Sequence, residues 1–219
     1  MDSAPSKLFP QSDIERISAA VRDAELRTSG EIVPYVVERS DVYEEAEWRG
    51  GAGLAVIALG AVVLYDMFSG SWMFFGPGEI ALMSLIGGLL GMGLVRFVPP
   101  LKRILAGSTL IQHRVEQRAA SAFIEEEVFS TRERTGILLF VSRFEHKVLV
   151  VGDAGINSKV EKKDWEGIVG RIVQGISSGK AADGMVDAIR ESGALLERAG
   201  VAIRSDDTNE LSNEVRQRR

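Results

Sequence analysis

Cysteine is absent from this chain of 219 residues, and histidine occurs only at His113 and His146. The first absence excludes disulfides, thiolate zinc sites, iron–sulfur ligation and a cysteine nucleophile. The second leaves no set of imidazoles for a His-rich metal centre or a proton relay. An excess of basic charge is also missing: 26 Lys and Arg stand against 31 Asp and Glu, a net of −5. Nucleic-acid binding needs a basic stripe to neutralise phosphates, so no nucleic-acid partner is expected. No Gly-x-Ser-x-Gly elbow occurs, which removes one route to a serine nucleophile. Gly175 to Lys180 imitates a phosphate loop but has three residues between its glycines, and Ala181 stands where a magnesium-binding hydroxyl is required. Gly51-Ala52-Gly53 lacks the third glycine of a dinucleotide fingerprint.

What is present is a long stretch without positive charge. From Gly50 to Val95 there is no Lys or Arg, and only Asp66 and Glu79 are charged. Two apolar arms, 50–65 and 80–95, each hold 16 uncharged residues, roughly 24 Å of helix. With Met67 and Phe68 on the first and Phe97 and Val98 on the second, they approach the roughly 30 Å of a bilayer core. Neither arm has the polar face of an ordinary surface helix. Gly60, Gly87, Gly88, Gly91 and Gly93 suit close helix–helix approach in lipid. Residues 48–98 therefore read as a transmembrane helical hairpin, with a turn-rich loop at 69–78. Arg39 and Arg49 precede the first apolar arm, and Arg96, Lys102, Arg103 and Arg114 follow the second. This asymmetry places both termini and the soluble parts in the cytoplasm. Trp48 and Trp72 fit an interfacial belt, and no apolar h-region opens the chain. Pro99-Pro100 is expected simply to stop the second helix.

The soluble residues alternate helix and strand patterns. Ser12 with Glu15 suggests a capping box for a helix bearing Ile14, Ile17, Val21 and Ala24 on one face. Residues 31–38 read as a strand, with Pro34 hinting at an edge position. Residues 109–130 look helical. Gly136 opens a buried strand, a polar turn spans 143–146, and 147–153 returns as the next strand. Helices follow from near Asp164, read as an N-cap, to Gly179, and then to about Ala199. Residues 12–45 are too few to bury a core alone. They are expected to complete one α/β domain with residues 109–200, a small mixed sheet sandwiched by helices and interrupted by the hairpin. Residues 204–219 lack periodicity and are expected to be a disordered tail.

With the third strand antiparallel to the second, parallel first and second strands would bring three carboxylates to one sheet edge. Glu31 opens the first strand, Glu133 precedes the second and Asp153 ends the third. Such an oxygen cluster suits a hard divalent cation, which positions a phosphate ester and activates water. Three solvated strand ends are the plainer reading of the same residues, and both stay open here.

The succession of 29–38, 135–156 and 164–189, with the glycine loop Gly152-Asp153-Ala154-Gly155-Ile156, Trp165 and Gly179-Lys180, resembles the TPM domain family. That family includes thylakoid acid-phosphatase-like proteins and many bacterial membrane proteins. The resemblance implies an α/β/α fold, an acidic calcium-binding pocket near the glycine loop, and phosphatase activity in some members. It also implies, by analogy, a LemA-type membrane protein as partner. Family members place Asp-Asn-Gly before the second strand, where this chain has Arg134-Thr135-Gly136. Calcium is the one cofactor the resemblance brings. The expected function is a membrane-anchored binding or scaffolding module at the cytoplasmic face. A calcium-binding, divalent-metal-dependent phosphatase-like hydrolase is the alternative. The expected partners are the lipid bilayer and another membrane protein, with homo-oligomerisation left open.

Overall fold

The computed structural model describes residues 9–69, 75–204, 206 and 208–218. Trp72 and the other residues of 70–74 in the expected loop lie outside the described residues. The chain divides into two compact units, one of residues 1–40 and 115–219 and the other of residues 41–114. Eight helices and a four-stranded mixed sheet are present among the described residues.

The first unit is α/β. Its helix α1 (Gln11–Glu25) precedes β1 (Ile32–Val37), and β2 (Ile137–Ser142) and β3 (Lys147–Gly152) form a hairpin. Helices α6 (Ala154–Asn157), α7 (Lys162–Ser177) and α8 (Ala181–Arg198) follow, and β4 (Arg216–Arg218) closes the chain. The sheet order is β3-β2-β1-β4. β1 runs parallel to β2 in the register Ile32↔Ile137 to Val37↔Ser142, and β2 runs antiparallel to β3. The strand before the apolar insertion thus rejoins the strands after it, as the sequence requires of a piece too small to fold alone.

One face of the sheet presents Ile32, Val36, Ile137, Leu139 and Val141 to α1, α7 and α8. Those helices contribute Ile17, Val21, Ile168, Ile172, Met185, Ile189 and Leu196 to the same core. Each such aliphatic side chain contributes roughly 1.5–3 kcal/mol when fully buried. On the other face Tyr35 stacks on Phe140 at 5.7 Å. There α5 (Ser108–Glu125) buries Val115, Ala119 and Ala122 and sends Arg118 to donate to the Tyr35 hydroxyl at 2.5 Å. Both faces of β1 and β2 are covered, which explains their unbroken apolar runs.

Several expectations need correction. Residues 215–218 of the tail join the sheet: β4 pairs in parallel with Tyr35–Val37, Val215 is buried, and Arg216 and Arg218 both donate to Glu126. Backbone pairing and ion pairs hold it, and neither leaves an apolar period to read. β1 is consequently interior beside β4 and open only before it. Pairing with β4 starts at Tyr35, directly after Pro34, which has no N–H to give. α1 begins at Gln11 after Pro10, without the Ser12 cap. In α7 the N-cap is Glu161, and Asp164 is the third helical residue, accepting from the Glu161 amide at 2.9 Å. Helix α5 ends at Glu125, short of 130.

The second unit holds α2 (Glu44–Ser69), α3 (Pro77–Phe97) and α4 (Pro99–Ala106), with the first turns of α5. Both α2 and α3 are long and apolar enough to cross a membrane. They pack on each other through glycine. A Cβ at Gly91 would sit 2.4 Å from the Gly50 carbonyl oxygen, an approach open to no other residue. Their outward faces expose Val56, Ile57, Leu64, Leu85 and Leu89. The diproline both ends α3 and starts α4, occupying its first two positions, where a missing N–H costs nothing. The flanking charges form a clasp: Lys102 donates to Glu47 at 2.7 Å, and Arg114 pairs with Asp41 at 2.8 Å and Glu45 at 3.0 Å.

Candidate acidic site at the sheet end

All three carboxylates lie at the end of the sheet where β1 and β2 begin and β3 stops. The loops there interlock through the backbone. The Ile137 amide donates to Glu31 O at 2.8 Å, Asp153 N to Gly136 O at 2.9 Å, and Gly155 N to Arg134 O at 2.9 Å. A Cβ at Gly155 would lie 2.1 Å from the Glu133 carbonyl oxygen, so the glycine loop can press on residues 133–134 only as glycine.

Each carboxylate has its own partner. Asp153 is 4% exposed, and its Oδ1 caps α6 by accepting from Ala154 N at 2.7 Å. Arg134 grips the same carboxylate with both arms of its fork, Nε to Oδ2 at 2.6 Å and Nη2 to Oδ1 at 3.0 Å. This bidentate pair raises the Arg134 pKa further above its ordinary value. The guanidinium also lies 5.8 Å from the centre of the Phe129 ring. Glu133 accepts from Arg204 at 2.8 Å. Glu31 is buried, accepts from the Glu210 amide at 3.0 Å through Oε1, and leaves Oε2 without a hydrogen bond.

A neighbour overlooked by sequence reasoning completes the arrangement. Glu25, at the end of α1, accepts from the Ile32 amide at 3.0 Å and contacts the Asn213 side-chain amide. Burial, with the charge of Glu31 adding to it, pushes the Glu25 carboxyl up to about 8, against the pull of the Ile32 amide. Burial also raises Glu31, with the Glu210 amide acting against it. The two acids therefore sit beneath the tail segment that carries Glu210 and Asn213.

These donors do not fit a divalent cation as folded. Both Asp153 oxygens face a guanidinium, Glu133 faces a second one, and Glu31 turns to the tail. Among the described residues no three His, Asp or Glu side chains converge on a common point. At the opposite end of the sheet, the buried Glu145 accepts from Ser40 N at 2.7 Å and from the Ser142 hydroxyl, while Ser40 Oγ donates to Ser142 Oγ at 3.0 Å. This cluster ties the end of β1 to the β2–β3 turn. His146 is exposed in that turn, at φ 54°.

Comparison with known proteins bears on the fold. Residues 103–195 match the family model described as the TPM domain, so the resemblance carried by the β2–β3 hairpin, the glycine loop and the two following helices holds over that span. No curated protein matches the chain. The NMR structure of the BA42 protein from the psychrophilic bacterium Bizionia argentinensis is similar, with a TM-score of 0.60 at 19% identity. The match covers 99% of this chain and 99% of that one. At that identity the likeness concerns the fold.

Proposed function

We propose that this chain is a membrane-anchored TPM-fold module that binds a partner at the cytoplasmic face of the bilayer. The observation that carries the reading is the second unit. Its two apolar helices bury 11% and 17% of their most apolar stretches, so nearly all of that surface asks for a lipid environment. A soluble core helix would hide it. The basic residues cluster at the two ends that join the soluble residues, which supports a cytoplasmic position for both termini. Trp48, 67% exposed, stands just before the apolar run, where an indole suits the headgroup layer. Binding finds support in β3, whose outer edge carries no strand among the described residues. Edge strands accept an added strand from a partner.

The hydrolase alternative draws no support from the acidic site, whose best-placed carboxylate is held by Arg134. Alkaline phosphatase fused at Gly76 tests the anchor and its direction together. The fusion should be active, and the protein should resist carbonate extraction from membranes. An inactive fusion in a membrane-retained protein would reverse the orientation, and release by carbonate would remove the anchor.

A further inference from the structure

Helix α4 is fastened at a definite level of the second unit. Lys102, only 9% exposed, reaches Glu47 on the first turn of α2. Arg49, just before the apolar run begins at Gly50, donates to the last carbonyls of α4, Leu105 O at 2.7 Å and Ala106 O at 3.0 Å. At its other end α4 joins α3 through Val98 alone, directly after Arg96 and Phe97 close the second apolar run. All these attachments sit where apolar sequence meets charged sequence. The face of α4 that carries Lys102 and Ala106 is buried, whereas Ile104 is 74% exposed, as is the adjacent Phe97 at 80%. Arg103 shares the turn with Ile104, and the Arg96 side chain is 66% exposed while reaching back to Glu47 at 3.6 Å. Two exposed apolar side chains, an exposed arginine and the half-buried Arg103 therefore gather at the α3–α4 junction.

We propose that α4, with Arg96 and Phe97, is an interfacial element that lies on anionic lipid, Phe97 and Ile104 entering the acyl boundary and Arg96 and Arg103 meeting headgroup phosphates. The inference rests on the membrane reading above and adds to it a lipid preference and a contact site. An amphipathic segment at this depth binds through buried apolar area and attraction to anionic headgroups together. A guanidinium suits phosphate because its fork donates two parallel hydrogen bonds. Each basic residue near an anionic surface contributes roughly a fivefold preference for it, so the pair should favour phosphatidylglycerol over phosphatidylcholine by about tenfold or more.

The absence of cysteine makes single-site spin labelling clean. The full chain is reconstituted in nanodiscs of phosphatidylcholine with or without phosphatidylglycerol, with labels at Leu59→Cys, Ile104→Cys and Ile124→Cys. Collision with oxygen and with a water-soluble nickel chelate gives the depth of each label. Leu59, midway along α2, should be oxygen-accessible, Ile124 of α5 nickel-accessible, and Ile104 at headgroup depth, deeper when phosphatidylglycerol is present. Arg96→Gln with Arg103→Gln should abolish that difference while leaving Leu59 in lipid. Leu59 in lipid with Ile104 fully nickel-accessible would overturn this proposal and leave the anchor standing. An unchanged lipid response in the double variant would overturn the headgroup contact. Leu59 in water would overturn the anchor itself.

Discussion

Replacing Glu25 by glutamine should stabilise the protein at and above neutral pH and flatten its pH dependence. The carboxyl titrates near 8 in the fold, against 4.5 for an ordinary glutamate. Between those values the folded state keeps a proton that the unfolded chain has released. Stability is therefore greatest below pH 4.5 as far as this group is concerned, and falls as pH rises toward 8. At about 1.4 kcal/mol per pH unit the full window is worth roughly 5 kcal/mol. Glu25 is half-buried beside the tail, so screening by water reduces the expected loss to about 2 to 3 kcal/mol. Glutamine keeps an oxygen for the Ile32 amide and carries no charge to oppose that of Glu31. For a chain of this size each kcal/mol moves the melting point by roughly 2–4 °C. Thermal melts in detergent at pH 5, 7 and 8.5 should show wild type falling by about 5–10 °C and the variant by no more than a third of that. A wild-type melting point constant across this range, or a variant that falls in parallel with wild type, would refute the reasoning.

Three further outcomes follow from the same geometry. Asp153→Ala removes the α6 cap and should cost about 1–2 kcal/mol; Asp153→Asn, which still accepts from the Ala154 amide, should recover about half in the same melts. Calcium at millimolar concentration should leave the wild-type melting point unchanged, and a saturable rise that disappears in Asp153→Ala would show that the ion displaces Arg134. Gly91→Val should separate α2 from α3 at a cost of about 2 kcal/mol or more; Gly93→Ala, with nothing within 4 Å of its new methyl, should be neutral or slightly stabilising by the same unfolding assay.

The parts of the fold that could be read from sequence are those in which burial imposes a period. The strands at 32–37 and 137–141 are apolar throughout because helices cover both faces of the sheet, and the return of β1 to the later strands follows from residues 12–45 having no core of their own. The hairpin announced itself by forty and more residues without a cation. Helix α4 escaped because two prolines read first as a stop. A proline at the first turn of a helix is equally a start, and the choice between the two depends on Lys102 and Arg49 reaching across to α2 and α4, which no local pattern records.

The acidic site divides in the same way. That Glu31, Glu133 and Asp153 share one end of the sheet is a matter of strand direction, of which only the antiparallel turn from β2 to β3 was legible. Which cation meets them was not, because it depends on backbone geometry. Arg134 occupies φ 58°, a conformation that favours glycine or asparagine over a long side chain. Its backbone carbonyl is committed to the Gly155 amide and its fork to Asp153, so the strained position and the ion pair support each other. An arginine held this way places a fixed positive charge on the carboxylate nearest the glycine loop. Arg204 does the same for Glu133 from a segment that sequence reasoning set aside as disordered. Among the described residues no guanidinium is hydrogen-bonded to Glu25 or Glu31, and the pair is instead closed over by tail residues Glu210 and Asn213. Arg204, Glu210 and Asn213 all belong to residues 204–219, so reading those residues as disordered hid the partners of Glu133, Glu31 and Glu25.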